Sequence, residues 1–316
     1  MKNNLNISKV SEDKMAFTAQ DVKTLREMTN CGMMDCKKAL TETNGDMDKA
    51  VEFLREKGLA TAAKKAGRIA AEGLVTAMVF DNVGVVVEVN TETDFVAKNV
   101  DFQKFVADVA ECIAKTNPAD VEALKAEKLY GDQTVGDALT EKIATIGENM
   151  NLRRFERYDG VNEAYIHGGR IGVLVNFKLG DAAKAEEPAF KAAAKDVAMQ
   201  IAAVMPKYVK SDEVPSDVVE KEKEILKVQA LNEGKPEAIV DKMVAGRIQK
   251  FYKEICLVEQ PYVKDGDLTD AKFLKNVVAE IGTDIEVVKF ARLEKGEGLE
   301  KRVDDFAAEV AKMTGN

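Results

Sequence analysis

Apolar positions recur at helical spacing over the first sixty residues. In FTAQDVKTLREMTN, Val22, Leu25 and Met28 fall on one face behind Thr18, a good helix cap. CGMMD breaks this pattern at Gly32. A second run, MDCKKALTETNG, turns Cys36, Ala39 and Leu40 inward and stops at Asn44-Gly45. A third, DMDKAVEFLREKG, is capped by Asp46 and is expected to end at Gly58. Three such helices form a small module over 15–59, near the lower size limit for independent folding. The basic, Ala-rich stretch that follows reads as a linker, 60–72, or as an exposed helix. Met33 and Met34 are adjacent on a helix and cannot both face one small core, so one of them is expected at the surface.

Beyond residue 72 the pattern repeats. FQKFVADVAECIAKTNP (102–118) aligns without a gap on FKAAAKDVAMQIAAVMP (190–206), and the same spacing pairs GVVV (84–87) with GVLV (172–175). GLVTAMVF (73–80) aligns with GVNEAYIH (160–167), and IGENMNLRRFER (146–157) with IGTDIEVVKFAR (281–292). Each copy reads strand–strand–helix–helix–strand, its first two strands joined by a turn such as DN-VG. That unit is an antiparallel sheet with helices on one face, so the fold class is α+β.

The second copy is longer by about 47 residues. The excess is SDEVPSDVVEKEKEILKVQALNEGKPEAIVDKMVAGRIQKFYKEICL, two amphipathic helices broken at NEGKP. Val219, Ile225, Leu226, Ile239, Met243, Ile248 and Phe251 form its apolar stripe, which closes on itself or on a partner. The expected organisation is a polar tail (1–14), the three-helix module (15–59), the linker (60–72) and core subdomain one (73–159). Core subdomain two (160–210 and 258–294) carries a helical coiled-coil hairpin (211–257), and a C-terminal helical module (295–316) follows. Met15 is a candidate initiator, because SEDKM can be encoded with a GGAGG-like ribosome-binding sequence.

Net charge is −9 over 316 residues, which disfavours a general nucleic-acid-binding surface. The four cysteines lack zinc-type spacing and read as free thiols in a reducing cytoplasm. No apolar run approaches the ~20 residues that span a membrane. Catalytic constellations are equally scarce: there is no phosphate loop and no dinucleotide fingerprint. The chain's one histidine, His167, lies in HGGRIG, where copy one has a hairpin turn. An interface role for it is at least as plausible as chemistry.

The two copies share a scaffold, so function should lie where they differ. TETDFV (91–96) corresponds to LGDAAK (179–184), which has no aromatic residue. Phe95 is therefore not required by the shared fold. It is either a protruding contact residue or a plug under its loop. Thr91 or Thr93 is a candidate cap for the turn that follows.

GMMDCKKAL, AAKKAG, NTETDFVAKN, IGEN, HGGRIGVLV and GEGLEK, in this order, resemble the bacterial elongation factor Ts family from Ala16 to the C-terminus. The family commonly has small residues where this chain has Asn30-Cys31, which puts the geometry of that turn in question. The resemblance implies a ubiquitin-associated-like N-terminal module. It also implies a guanine-nucleotide exchange factor, not an enzyme and without cofactor or metal, that acts in the cytoplasm on the GTPase elongation factor Tu. Thr93, Asp94, Phe95 and Val96 would disturb the partner's magnesium site. Arg26, Met33, Met34, Cys36, Lys65 and His167 would bind the partner. No direct nucleic-acid or membrane contact is implied. The alternative is a non-catalytic scaffold that forms a homodimer through the coiled-coil hairpin.

Overall fold

The computed structural model describes residues 17–29 and 31–300; the expected tail (1–14), Asn30 and most of the expected C-terminal helical module (295–316) lie outside them. In chain order the elements begin with α1 (Ala19–Thr29), α2 (Met33–Glu42), α3 (Met47–Lys65), β1 (Glu72–Phe80) and β2 (Val83–Thr91). There follow α4 (Asp94–Ala97), α5 (Val100–Thr116), α6 (Val121–Ala126), β3 (Lys128–Tyr130), β4 (Gln133–Thr134), α7 (Val135–Ile146) and β5 (Met150–Asp159). The second copy contributes β6 (Val161–His167), β7 (Ile171–Leu179), α8 (Pro188–Val204), α9 (Ser216–Asn232) and α10 (Glu237–Ile255). It ends with β8 (Pro261–Tyr262), β9 (Asp265–Thr269), α11 (Asp270–Ile281) and β10 (Ile285–Glu294). Helices and antiparallel sheets together make an α+β fold. The described residues divide into two compact units, one of those up to 68 with 136–150, the other of 69–135 with 151–300.

In the first unit Thr18 and Asp21 cap α1 reciprocally: the Asp21 carboxylate accepts from the Thr18 N–H at 2.7 Å, and the Thr18 hydroxyl from the Asp21 N–H at 3.2 Å. Val22, Leu25, Cys36, Ala39, Leu40, Ala50 and Leu54 close the core. Asn44 and Gly45 take the left-handed conformation that ends α2, and Asp46 caps α3. Gly58 does not stop the third helix, which continues to Lys65. Gly58 is instead a close approach: a Cβ there would stand 3.6 Å from Ala144 Cβ on α7. The Lys65 ammonium then donates to the Gly147 carbonyl at 2.5 Å, and the Asn149 amide to the Arg68 carbonyl at 2.7 Å. Half of the expected linker is therefore helix, held by partners that lie some eighty residues away in sequence.

In the second unit the copies build matching three-stranded sheets, ordered β1-β2-β5 and β10-β7-β6. Each hairpin's second strand is central, and α5 or α8 covers one face. The copies repeat their polar contacts as well. Asn117 and Met205 end α5 and α8 in the left-handed conformation, each followed by proline. Arg157 Nε donates to the Ala114 carbonyl at 3.2 Å, and Arg292 Nε to that of Ala202 at 3.5 Å. Tyr130 donates to Asp108, and Tyr262 to Asp196. These tyrosines sit on the small hairpins β3–β4 and β8–β9, whose strands are too short to show a period in sequence.

The other faces of the two sheets meet through Val75, Val86, Tyr158, Leu174, Ala291 and Leu293. Gly84 and Gly172, equivalent positions of the two central strands, make this approach possible. A Cβ at Gly84 would lie 2.5 Å from Leu174 Cδ1, and one at Gly172 2.5 Å from Val75 Cγ1. The inserted helices α9 and α10 pack on each other through Val219, Leu226, Ala230, Val240, Val244 and Ile248. Gly234 at positive φ makes their turn.

Two buried carboxylates differ sharply. Glu88 on β2 accepts from Arg153 at 3.0 Å, Arg154 Nε at 2.7 Å, Asn90 at 3.0 Å and the Gly296 N–H at 2.7 Å. Burial alone would raise its pKa; the Gly296 N–H, Asn90 and the two arginines outweigh burial and hold it below the usual carboxylate range. Asp270, at the start of α11, is fully buried, and neither carboxylate oxygen has a partner among the described residues. Burial pushes its pKa up to about 7. The equivalent residue in copy one is Val135, also buried.

Glu88 has a depressed folded pKa, so its stabilisation is present above its unfolded value and is lost as pH falls through the folded one. Asp270 has a raised folded pKa, so its contribution weakens stability as pH rises from about 4 to about 7. Glu88→Gln should destabilise by about 3 kcal/mol at neutral pH, since it strands two arginines. Asp270→Asn should stabilise at pH 8 and flatten the pH dependence between 4 and 7. Urea unfolding followed across pH checks both, and an Asp270→Asn variant with the wild-type pH slope would contradict the assignment.

Candidate functional site

β2 ends at Thr91, and the chain turns through Glu92 and Thr93 into the four-residue helix α4. The Thr91 hydroxyl donates to the Thr93 carbonyl at 2.8 Å, fixing the turn. Thr93 occupies the N-cap position in extended conformation but makes no side-chain cap hydrogen bond, so neither threonine caps the turn through its side chain. Val96 is buried and anchors the loop, while Phe95 is 78% exposed at its tip. Of the two roles open to Phe95, the structure has the protruding one. The corresponding segment of copy two is a short 3₁₀ turn, Ala182–Glu186, capped by Asp181, with Ala183 where Phe95 stands. Both copies thus make the turn, and only one carries a ring on it.

Two cations border this tip. Lys98 Nζ lies 2.6 Å from the Asp94 carboxylate and 5.8 Å from the centroid of the Phe95 ring. Lys98 holds the Asp94 pKa below the usual range, with a smaller contribution from Lys295, so the tip displays an ionised carboxylate beside an apolar ring. Val100, the first residue of α5, is also 76% exposed. Its apolar character conceals this, but Asn99 caps α5 through the Asp101 and Phe102 N–H groups, which puts Val100 on the outer side.

Arg26, Met33, Met34, Cys36 and Lys65 belong to the other compact unit. Arg26 is exposed on α1, and Met33 and Met34 begin α2, 45% and 74% exposed. Both methionines face outward, not one. The first turn of α2 follows the break at Gly32 and precedes the point where the helix meets its core at Cys36. Cys36 itself is fully buried against Leu25 and Leu40, its thiol 3.8 Å from the Cys31 carbonyl. It presents no surface and instead seats the helix that carries the methionines. A cavity of about 400 Å³ opens beside Met33, lined by Arg26, Cys31, Leu54, Lys57 and Ala144, with an Asp35–Lys57 ion pair at its rim. Lys65 is half-buried and committed to Gly147. Met28, not singled out by its place on the apolar face of α1, is 59% exposed.

His167 closes β6, and its Nδ1 is 3.0 Å from the Tyr165 hydroxyl. Gly168 and Gly169 take positive φ in the turn to β7, so HGGRIG is hairpin chemistry. Among the described residues no group of three or more His, Cys, Asp or Glu could hold a metal ion, and no helix is long and apolar enough to cross a membrane.

These features define an α+β protein whose distinctive groups are displayed at loop tips and helix starts. The family described as elongation factor TS matches residues 92–297. Elongation factor Ts of Clostridium perfringens is 57% identical over 305 residues, covering 95% of this chain and 99% of the relative. That of Clostridium botulinum is 55% identical over 95% and 99%, and that of Syntrophotalea carbinolica 52% over 95% and 100%. The chain belongs to the elongation factor Ts family.

Because Phe95 is mostly solvated, Phe95→Ala should change folding stability by no more than about 0.5 kcal/mol, whereas Val96→Ala should cost about 1 kcal/mol or more. Urea midpoints of the two variants test the assignment, and equal losses would count against it.

Proposed function

We propose that the protein is a guanine-nucleotide exchange factor that binds GDP-bound elongation factor Tu and promotes GDP release, so that GTP can enter. The observation that carries this reading is the exposed Phe95 beside ionised Asp94, on a turn that the sister copy builds without a ring. In a GTPase of this kind magnesium bridges the phosphates and the protein. A rigid tip that enters this region, apolar at Phe95 and anionic at Asp94, displaces groups around the ion and weakens nucleotide binding. By linkage, nucleotide weakens binding of the tip by the same factor. No acid, base or cofactor is needed. Thr93 and Val96 shape and anchor the tip. Arg26, Met33 and Met34 dock the partner, Cys36 and Lys65 support that surface from within, and His167 supplies a further contact. The action is cytoplasmic and involves no direct nucleic-acid contact.

A second reading has one observation in its favour. Ile225, Val228 and Leu231 on α9, with Ile239 on α10, are exposed on the helical hairpin. A scaffold that dimerises through this stripe would not depend on Phe95.

GDP release from elongation factor Tu separates the two. Wild-type protein should accelerate release, and Phe95→Ala and Asp94→Ala should each slow it by about tenfold or more. Phe95→Ala as fast as wild type would remove the wedge mechanism, and no acceleration by wild type would remove the exchange reading. Met33→Ala/Met34→Ala should weaken complex formation, read as a raised dissociation constant by calorimetry. An unchanged constant would count against that surface.

A further inference from the structure

The sulfur chemistry of the chain is unevenly placed. Among the described residues the exposed methionines are Met28, Met33, Met34 and Met205, and the first three belong to α1 and α2. The thiols are sheltered: Cys36, Cys112 and Cys256 are buried and Cys31 is half-buried. Burial raises the pKa of all four, that of Cys256 to about 11. It is the thiolate that attacks a peroxide, and the thiolate is scarce in such settings at neutral pH. A thioether needs no deprotonation, so access decides its reactivity. Among the described residues, three of the four sulfur groups most open to a peroxide therefore belong to α1 and the first turn of α2.

We propose that Met28, Met33 and Met34 form an oxidant-sensitive patch, in which sulfoxide formation by a peroxide weakens docking of the partner and enzymatic reduction restores it. This rests on the exchange-factor reading. In the step a thioether lone pair attacks one peroxide oxygen and the O–O bond breaks. An S–O bond forms, and the departing hydroxide takes the remaining proton and leaves as water. Sulfur loses two electrons and the peroxide gains them. The reverse step uses a dithiol reductant, which becomes a disulfide as water leaves. Each sulfoxide puts a polar oxygen on an apolar contact surface, where it enters the interface without an assured partner. Met33 is the most consequential of the three, because it borders the cavity with Leu54 and Ala144.

The test treats the full chain with hydrogen peroxide, removes the peroxide with catalase, and maps the added oxygen by peptide mass spectrometry. GDP release from untreated elongation factor Tu is then followed against concentration of the treated protein. Oxidation at Met28, Met33 and Met34 should raise the half-saturating concentration about tenfold or more, with little change in release at saturation. Methionine sulfoxide reductases of both stereospecificities, with dithiothreitol, should restore it. A Met205→Leu variant should show the same oxidised-to-untreated ratio as wild type. In Met28→Leu/Met33→Leu/Met34→Leu, whatever its own affinity, that ratio should stay near one. Half-saturation that moves less than twofold when all three sites carry oxygen would overturn the proposal. So would a triple variant that loses as much as wild type. Untreated protein that neither binds elongation factor Tu nor speeds GDP release would remove the exchange reading and this inference with it, a result distinct from docking that survives oxidation.

Discussion

The buried carboxylate of Glu88 is the interaction on which the second unit most depends. It lies on the central strand of the first sheet and gathers Arg153 and Arg154 from β5, Asn90 from its own strand and the Gly296 N–H from the turn after β10. Arg154 also reaches the Glu294 carbonyl, and Lys295 pairs with Glu72 at the start of β1. One anion thus links the hairpin, the last strand of its own copy and the end of the other copy. The loop that carries Phe95 begins three residues beyond it, at Thr91, and Asn90 joins Glu88 to the Glu72 carbonyl on the neighbouring strand. A charge buried without these donors would be severely destabilising; with them it becomes a rigid base under the loop.

The duplicated architecture explains why the two copies could diverge. Each sheet admits the other through one glycine, Gly84 or Gly172, and each long helix is ended by a left-handed residue followed by proline, with an arginine on its last turn. With these shared contacts retained, other positions are free to change. Asn176 stands where Glu88 does and serves a local turn through the Asp159 carbonyl. Asp270 replaces Val135 with no partner for its carboxylate among the described residues, and Ala183 replaces Phe95. One copy holds the charged hub and the exposed ring, while the other holds the helical insertion and the unpaired acid.

Much of this was legible in the sequence, because caps, turns and repeats are local. Thr18, Asp46, Asn44-Gly45 and Gly234 act where their chemistry places them, and internal comparison isolates Phe95 without structural information. What was hidden depends on contacts distant along the chain. Gly58 resembles a helix stop until Ala144 is known to lie against it, and Lys65 finds its partner at Gly147. The outward turn of both Met33 and Met34 depends on where α2 first meets its core. Cys36 is apolar enough to be buried and is buried, so its part in the surface is indirect. Nothing in the local sequence separates Glu88 from any strand glutamate, or Asp270 from a solvated helix-start aspartate.

The stance of Phe95 also bears on the thermodynamics of any encounter. A side chain that finds no shelter in the free molecule withholds its transfer from water until something covers it, about 2 kcal/mol for an aromatic ring of this size. Because Val96 and the Thr91–Thr93 hydrogen bond already hold the turn, little ordering entropy is subtracted from that gain. The heat capacity of association, a negative quantity proportional to the apolar area removed from water, should therefore carry the ring's signature almost undiluted.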